Sequence, residues 1–425
     1  MNEHSASVNG ISIYSLTNPN LRSFCLSLYV RAGSIFEDLS NNGISHLFEH
    51  VVFRNIKNKY ENFYELLAMH GLCFQGSTYK KFVSFTIDGP QHEFDFAIEI
   101  LCGLFDEIKL TSHDFNNEKG RIKAEIREKD RRSSLDFYFD SIVWKNSEVE
   151  KIVLGYCKTI DRVSVKRINE FRQKVLSAGN CFVYATGNIS DKNLDALNKK
   201  ISELDICQSN PGFTNTVTVN NDFFHREKKI WIKNNYWHYI QIGFDVDCSK
   251  YPGGVYDLLY ALLFNGDKAL VYNYLSEDNP IIYSYDSTFE QYDNVGNINF
   301  SFEVDRNKIE DVFKTVVELL NAAKDGRFNF EANLNYEMFN WELDLDKPSN
   351  LNWNMAYYNH ILKTEPIDYS DESYGRFRVT KKQVTDAAKD IFRRCNRAVP
   401  MMGNKKKLLT EAIEIILESL DLLNG

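Results

Sequence analysis

The chain has 425 residues, 43% of them hydrophobic and 26% charged, with a formal net charge of −9. That length exceeds what one hydrophobic core usually serves, so two or more domains are expected, and the composition is globular rather than disordered. The acidic balance excludes a general nucleic-acid binder, which needs a basic footprint, and no polybasic patch is present for an anionic membrane.

The first residues, MNEHSASVNGISIYSLTNPN, carry no basic stretch followed by an apolar one, so no secretory signal is expected, and no apolar run approaches a membrane span. Residues 11–31 alternate in strand fashion. Ser40, Asn41 and Asn42 are helix-capping types ahead of Gly43, and Ile44, Leu47, Phe48 and Val51 recur at helical spacing, which predicts a helix over about 44–53. A second helix is expected over about 60–70, closed by Gly71. LCFQGSTYKKFVSFTID reads as two strands, residues 91–108 and 112–132 as helices, and CFVYATGNIS (181–190) as a buried strand running into a turn.

Residues 206–222 are polar, rich in turn formers and poor in large apolar side chains, as in a linker. Beyond them the order of elements starts again. KKIWIKN and YIQIGFDV read as strands, YDLLYALLFN as a helix, NINFSFEV as a strand and DRNKIEDVFKTVVELLNAAKDG as a helix. Two domains of similar construction, 1–205 and 223–425, follow from that repeat of element order. The eight cysteines are scattered without a C-x-x-C pair and are expected to be buried free thiols, as in a reducing cytoplasm.

His46, Glu49 and His50 spell H-x-x-E-H. On a helix, positions i and i+4 share a face, so both imidazoles can reach one metal ion. Glu49 falls on the same side and can touch a water there without being a ligand, the arrangement of the inverzincin motif. The competing reading is a histidine-rich helix face with a salt-bridging glutamate. A catalytic zinc takes three protein ligands and leaves a fourth position open, so a third donor is needed. The helix over 112–132 offers Glu118 and Glu125, two turns apart on one face, and Glu128 one turn further; periodicity alone leaves the choice among them open.

HLFEH followed after 74 residues by Glu125, with Glu118 seven before it, resembles the pitrilysin, insulysin and mitochondrial processing peptidase family. RAGSIFED…NNGISHLFEHVVFRN, ATGNIS and LLFNGDKALVYNYLSEDNPIIYSYDS resemble further stretches of that family, so the likeness runs over nearly the whole chain. It implies an α+β fold: two α/β-roll domains in tandem, antiparallel-rich sheets packed with helices, making half of a clam-shell. It implies Zn²⁺ held by His46, His50 and Glu125, with Glu118 supporting the site and Glu49 as general base. It further implies a peptide substrate lying extended against FQGSTY, through backbone contacts at Gln75, Gly76 and Ser77.

The resemblance has one departure. Active members add an Arg and a Tyr, seven apart, from the second half; here Tyr283 stands at the Tyr position and Ser276 at the Arg position. The expectation is therefore a cytoplasmic zinc endopeptidase that resembles the catalytic subunit of two-component bacterial members. A second subunit of the same fold would complete a heterodimer and supply the Arg–Tyr pair. A self-sufficient peptidase, monomeric or homodimeric, and a non-catalytic assembly subunit are the alternatives.

Overall fold

The computed structural model describes residues 3–421 apart from 133, 210, 214–216, 220, 227, 229, 364–376 and 405–409. Chain contacts divide it into two units, each with its own core. The first is built on six strands: β1 (His4–Val8), β2 (Ile11–Thr17), β3 (Ser23–Val30), β4 (Cys73–Thr78), β5 (Val83–Pro90) and β6 (Cys181–Gly187), in the order β1-β2-β6-β3-β5-β4. Only β2 and β6 run parallel. The second unit has five: β7 (Ile230–Asn234), β8 (Tyr239–Asp247), β9 (Asp286–Tyr292), β10 (Val295–Glu303) and β11 (Arg397–Gly403), in the order β7-β11-β8-β10-β9. Only β7 and β11 are parallel. With β1 set aside, the two sheets share one topology, so the repeat of element order is a repeat of architecture.

The helix carrying the H-x-x-E-H motif runs Ile44–Lys59, longer than its predicted core, because Ile56 continues the buried stripe of Ile44, Leu47, Phe48, Val51 and Val52. This stripe and alternate β3 residues, Leu26, Leu28 and Val30, share one core. Strand alternation turns Cys25, Ser27 and Tyr29 to the opposite face of the sheet. The next helix is Phe63–Met69, and Gly71 takes the left-handed conformation (φ +62°) expected just past a helix end. The helix expected over 91–108 is Phe94–Gly103: a 3₁₀ turn, Gln91–Glu93, follows Pro90, and at 104–106 the backbone bonds tighten to three-residue spacing. The helix Ser112–Arg132 has the predicted bounds.

The units are not the contiguous halves 1–205 and 223–425. Residues 133–150 belong to the second unit and 342–363 to the first. In the second unit, Trp144 is buried and donates from Nε1 to Glu290 Oε2 at 2.9 Å. Phe139 lies so close to Gly243 that a Cβ there would stand 2.5 Å from its ring. In the first, the helix Pro348–Met355 covers the outer face of the sheet. Buried Asn352 accepts from the Tyr29 hydroxyl at 2.9 Å and donates to the Tyr184 carbonyl at 2.9 Å. Two short segments, the first rich in buried apolar side chains such as Phe139, Val143 and Trp144, thus become structural members of the unit that lies further along or back in the chain. All eight cysteines are free thiols, but burial is not general: Cys25 and Cys181 are buried, whereas Cys73 and Cys207 are exposed. Among the described residues no helix is long and apolar enough to cross a membrane.

Candidate metal centre

The motif helix begins at Gly43, whose φ of +94° and close packing on Gly155 suit only glycine. The Asn41 carbonyl accepts from the Ile44 N–H at 3.0 Å, but the side chains of Ser40, Asn41 and Asn42 do not cap its first turn. The buried carboxylate of Glu37 does so, accepting from the backbone N–H of Gly43 at 2.7 Å and of Ser45 at 2.8 Å, and from Asn42 Nδ2 at 2.8 Å. It thereby satisfies helix N–H groups that have no partner within the helix and places a negative charge at the positive end of the helix dipole.

One turn on, His46 is 6% exposed and its ring lies 4.7 Å from that of His50, edge to face. The facing helix, Ser112–Arg132, brings Glu125 against both: Oε2 is 3.6 Å from His46 Nε2 and 4.0 Å from His50 Nε2. Ligand atoms of these three residues lie within 4.8 Å of one another, and among the described residues no other cluster of His, Cys, Asp and Glu does so. Two imidazole nitrogens and one carboxylate oxygen are a donor set that suits zinc, an ion of borderline softness. Their separations approach the roughly 3.3 Å that ligands about 2.0–2.1 Å from a tetrahedral ion would have. Of the three candidate carboxylates, Glu125 alone belongs to this group.

Glu118 is buried at 2% exposure, and its Oε2 lies 3.6 Å from His50 Nδ1, the ring nitrogen turned away from Glu125. Arg54 Nε donates to its Oε1 at 2.6 Å, and Arg121 lies 3.4 Å from Oε2. Burial pushes the Glu118 carboxyl up, but His50, Arg54 and Arg121 together hold it below the usual carboxylate range. Burial also disfavours charge on His50, yet Glu118, Glu49 and Glu125 outweigh it and raise the imidazole.

Glu49 Oε2 is 3.9 Å from His46 Nε2, and the Thr78 hydroxyl donates to the same oxygen at 3.3 Å. Burial raises its carboxyl above the usual range; His50 and Thr78 recover only part of that. A carboxylate of raised basicity beside two imidazoles can accept a proton from water.

β4 lies at the edge of its sheet and among the described residues pairs with β5 alone, so Gln75, Gly76 and Ser77 stand on an edge strand. Tyr283 lies in the second unit, in the bend before β9, and is 99% exposed rather than packed. It borders a hollow of about 620 Å³ with Trp237, Glu303 and Arg306. Ser276 is not among the residues lining that hollow and lies in the π-helical segment Asn273–Glu277. Three contributors escaped the sequence reading: Glu37, Arg54 and Thr78. The sequence does carry one signal for Arg54, which stands four residues after His50 on the same helix face.

Two family profiles match the chain in tandem: Insulinase (Peptidase family M16) over residues 13–155 and Peptidase M16 inactive domain over residues 162–332. A protein of Bacillus subtilis (strain 168) described as an uncharacterized zinc protease is 21% identical over 324 residues, 74% of this chain and 77% of its own length. The beta subunit of the mitochondrial-processing peptidase of Saccharomyces cerevisiae is 23% identical over 190 residues, 44% of this chain and 41% of that protein, so less than half of it is spanned. Among solved structures, a protease from Helicobacter pylori superposes with a TM-score of 0.81 at 18% identity, covering 95% of this chain and 99% of that one. A peptidase M16 inactive domain protein from Pseudomonas fluorescens gives 0.79 at 14% identity, covering 95% and 98%. At these identities the structural likeness speaks to fold.

Proposed function

The chain belongs to peptidase family M16, and from that premise we propose that it is a zinc-dependent endopeptidase subunit acting on peptides bound in extended form. The observation that carries this reading is the convergence of His46, His50 and Glu125 with Glu49 beside them but outside the ligand group. Relatives described as zinc proteases support the choice of metal. Zinc held by those three residues would supply Lewis acidity, bringing the pKa of water toward 7 and polarising a peptide carbonyl. Glu49 takes the proton of the attacking water and returns it to the leaving amine, a contribution of about 10²–10⁴ in rate. Glu118 fixes the His50 ring through its far nitrogen. The open edge of β4 offers main-chain pairing to the substrate at Gln75–Ser77, which gives affinity with little demand on sequence.

We further propose that a second subunit of the same fold completes the enzyme. Ser276 stands where the family resemblance places an arginine, while the zinc-side residues are all present. One donor missing from beside a carbonyl that gains negative charge costs about 10²–10³ in rate. The presence of Glu49 argues against a purely structural subunit, which has no use for a base. The test is zinc content and peptide cleavage by the purified chain, alone and with co-expressed partners of the same fold. One zinc per chain and cleavage that rises about 100-fold with the partner are expected. High turnover by the single chain would defeat the heterodimer, and absence of both zinc and cleavage would defeat the function.

A further inference from the structure

Arg54 is a residue that the H-x-x-E-H pattern does not include. It lies four residues after His50 on the same helix, so the two side chains rise from one face. Glu118 approaches both from the helix Ser112–Arg132, two turns before Glu125 on its own face. Burying a carboxylate to 2% exposure is costly unless it is paired, and its two oxygens have separate partners. Oε1 takes the 2.6 Å bond from Arg54 Nε; Oε2 faces His50 Nδ1 at 3.6 Å. Arg121 also reaches Oε2, at 3.4 Å, but its side chain is mostly in solvent, where such a pair is screened.

We propose that Arg54 is a positioning residue of the metal centre: by pinning one oxygen of Glu118 it fixes the carboxylate plane, so that the other oxygen orients His50 and leaves Nε2 to face Glu125. A carboxylate held at one oxygen loses its freedom to rotate away from the imidazole. Charge-assisted bonds of this length are the strong ones. Partners once removed from a ligand typically carry about 10–100-fold of metal affinity. Lysine is not equivalent, since a point charge on a flexible stem lacks the rigid guanidinium geometry.

This rests on the zinc reading, and the test keeps the two apart. The full chain is stripped of metal, and zinc affinity is measured by competition with a chromophoric chelator, with thermal melts of the metal-free forms alongside. Arg54→Met is expected to bind zinc about 10–100-fold more weakly while remaining folded. Arg54→Lys should recover part of the loss, and Arg121→Ala should stay within about twofold. Because Arg54 acts through Glu118, Arg54→Met combined with Glu118→Gln should bind no more weakly than Glu118→Gln alone. The Co²⁺-substituted Arg54→Met protein should show a shifted visible spectrum. If Arg54→Met fails to fold, Arg54→Gln carries the same comparison. A folded Arg54 variant with native zinc affinity would overturn the proposal, as would additive losses in the double variant. A native chain that takes up no zinc at all would overturn the proposed function, and this inference with it.

Discussion

Gly76 lies directly against Glu49: a Cβ at position 76 would stand 2.5 Å from Glu49 Oε1 and 2.9 Å from its Cγ. Two residues along β4, the Thr78 hydroxyl donates to the other oxygen. The edge strand proposed to take the substrate therefore also packs on Glu49, the proposed base, with one position cleared for the carboxylate and another holding it.

Gly76→Val should displace the Glu49 carboxylate and lower kcat by at least about 10-fold, a loss of about 1.4 kcal/mol in transition-state stabilisation. The zinc centre lies on other elements, so metal content should be unchanged. Peptide turnover and zinc content measured on the same preparation decide it. Native kcat in the valine variant would mean that Glu49 has room to step aside.

Removing one imidazole leaves two donors where a structural or catalytic zinc takes at least three. His50→Ala should therefore lose most of its metal at zinc concentrations that saturate the native chain. Elemental analysis after exhaustive dialysis is the check, and full occupancy in the variant would remove His50 from the ligand set.

Glu49→Gln keeps the shape of the side chain and removes its capacity to take a proton. Zinc content should remain near one per chain while turnover falls by about 10² or more. Loss of zinc in this variant would make Glu49 a ligand; unchanged turnover would take it out of the mechanism.

Glu37→Ala strands the N–H groups of Gly43 and Ser45 and one N–H of the Asn42 amide, which keeps its bond to the Ile152 carbonyl, so at least three donors lose the carboxylate that now satisfies them. Each buried donor left without a partner costs about 1–3 kcal/mol, so a total above about 3 kcal/mol is expected. A lowered Tm, with faster hydrogen exchange at the Gly43 and Ser45 amides, would register it. Native exchange rates at those amides would show that another group caps the helix.

What was legible in the sequence was local. The four-residue spacing of His46 and His50 puts two imidazoles on one face of any helix, and the apolar positions around them require that helix. Residues 112–132 read as a helix for the same reason, and the strand patterns recur after residue 222 because each unit must bury one face of its own sheet. The choice among Glu118, Glu125 and Glu128 was different. All three lie on one periodic pattern, and only the packing of two helices decides which carboxylate meets the histidines, which stands behind one of them and which remains apart. Family resemblance had pointed to the same choice, but helix periodicity could not make it. Arg54 with Glu118 and Thr78 with Glu49 pair across 64 and 29 residues of chain. The exchange of residues 133–150 and 342–363 between units likewise leaves no periodic trace. Such pairings depend on where whole elements come to rest against one another, and local spacing along a chain holds no record of that.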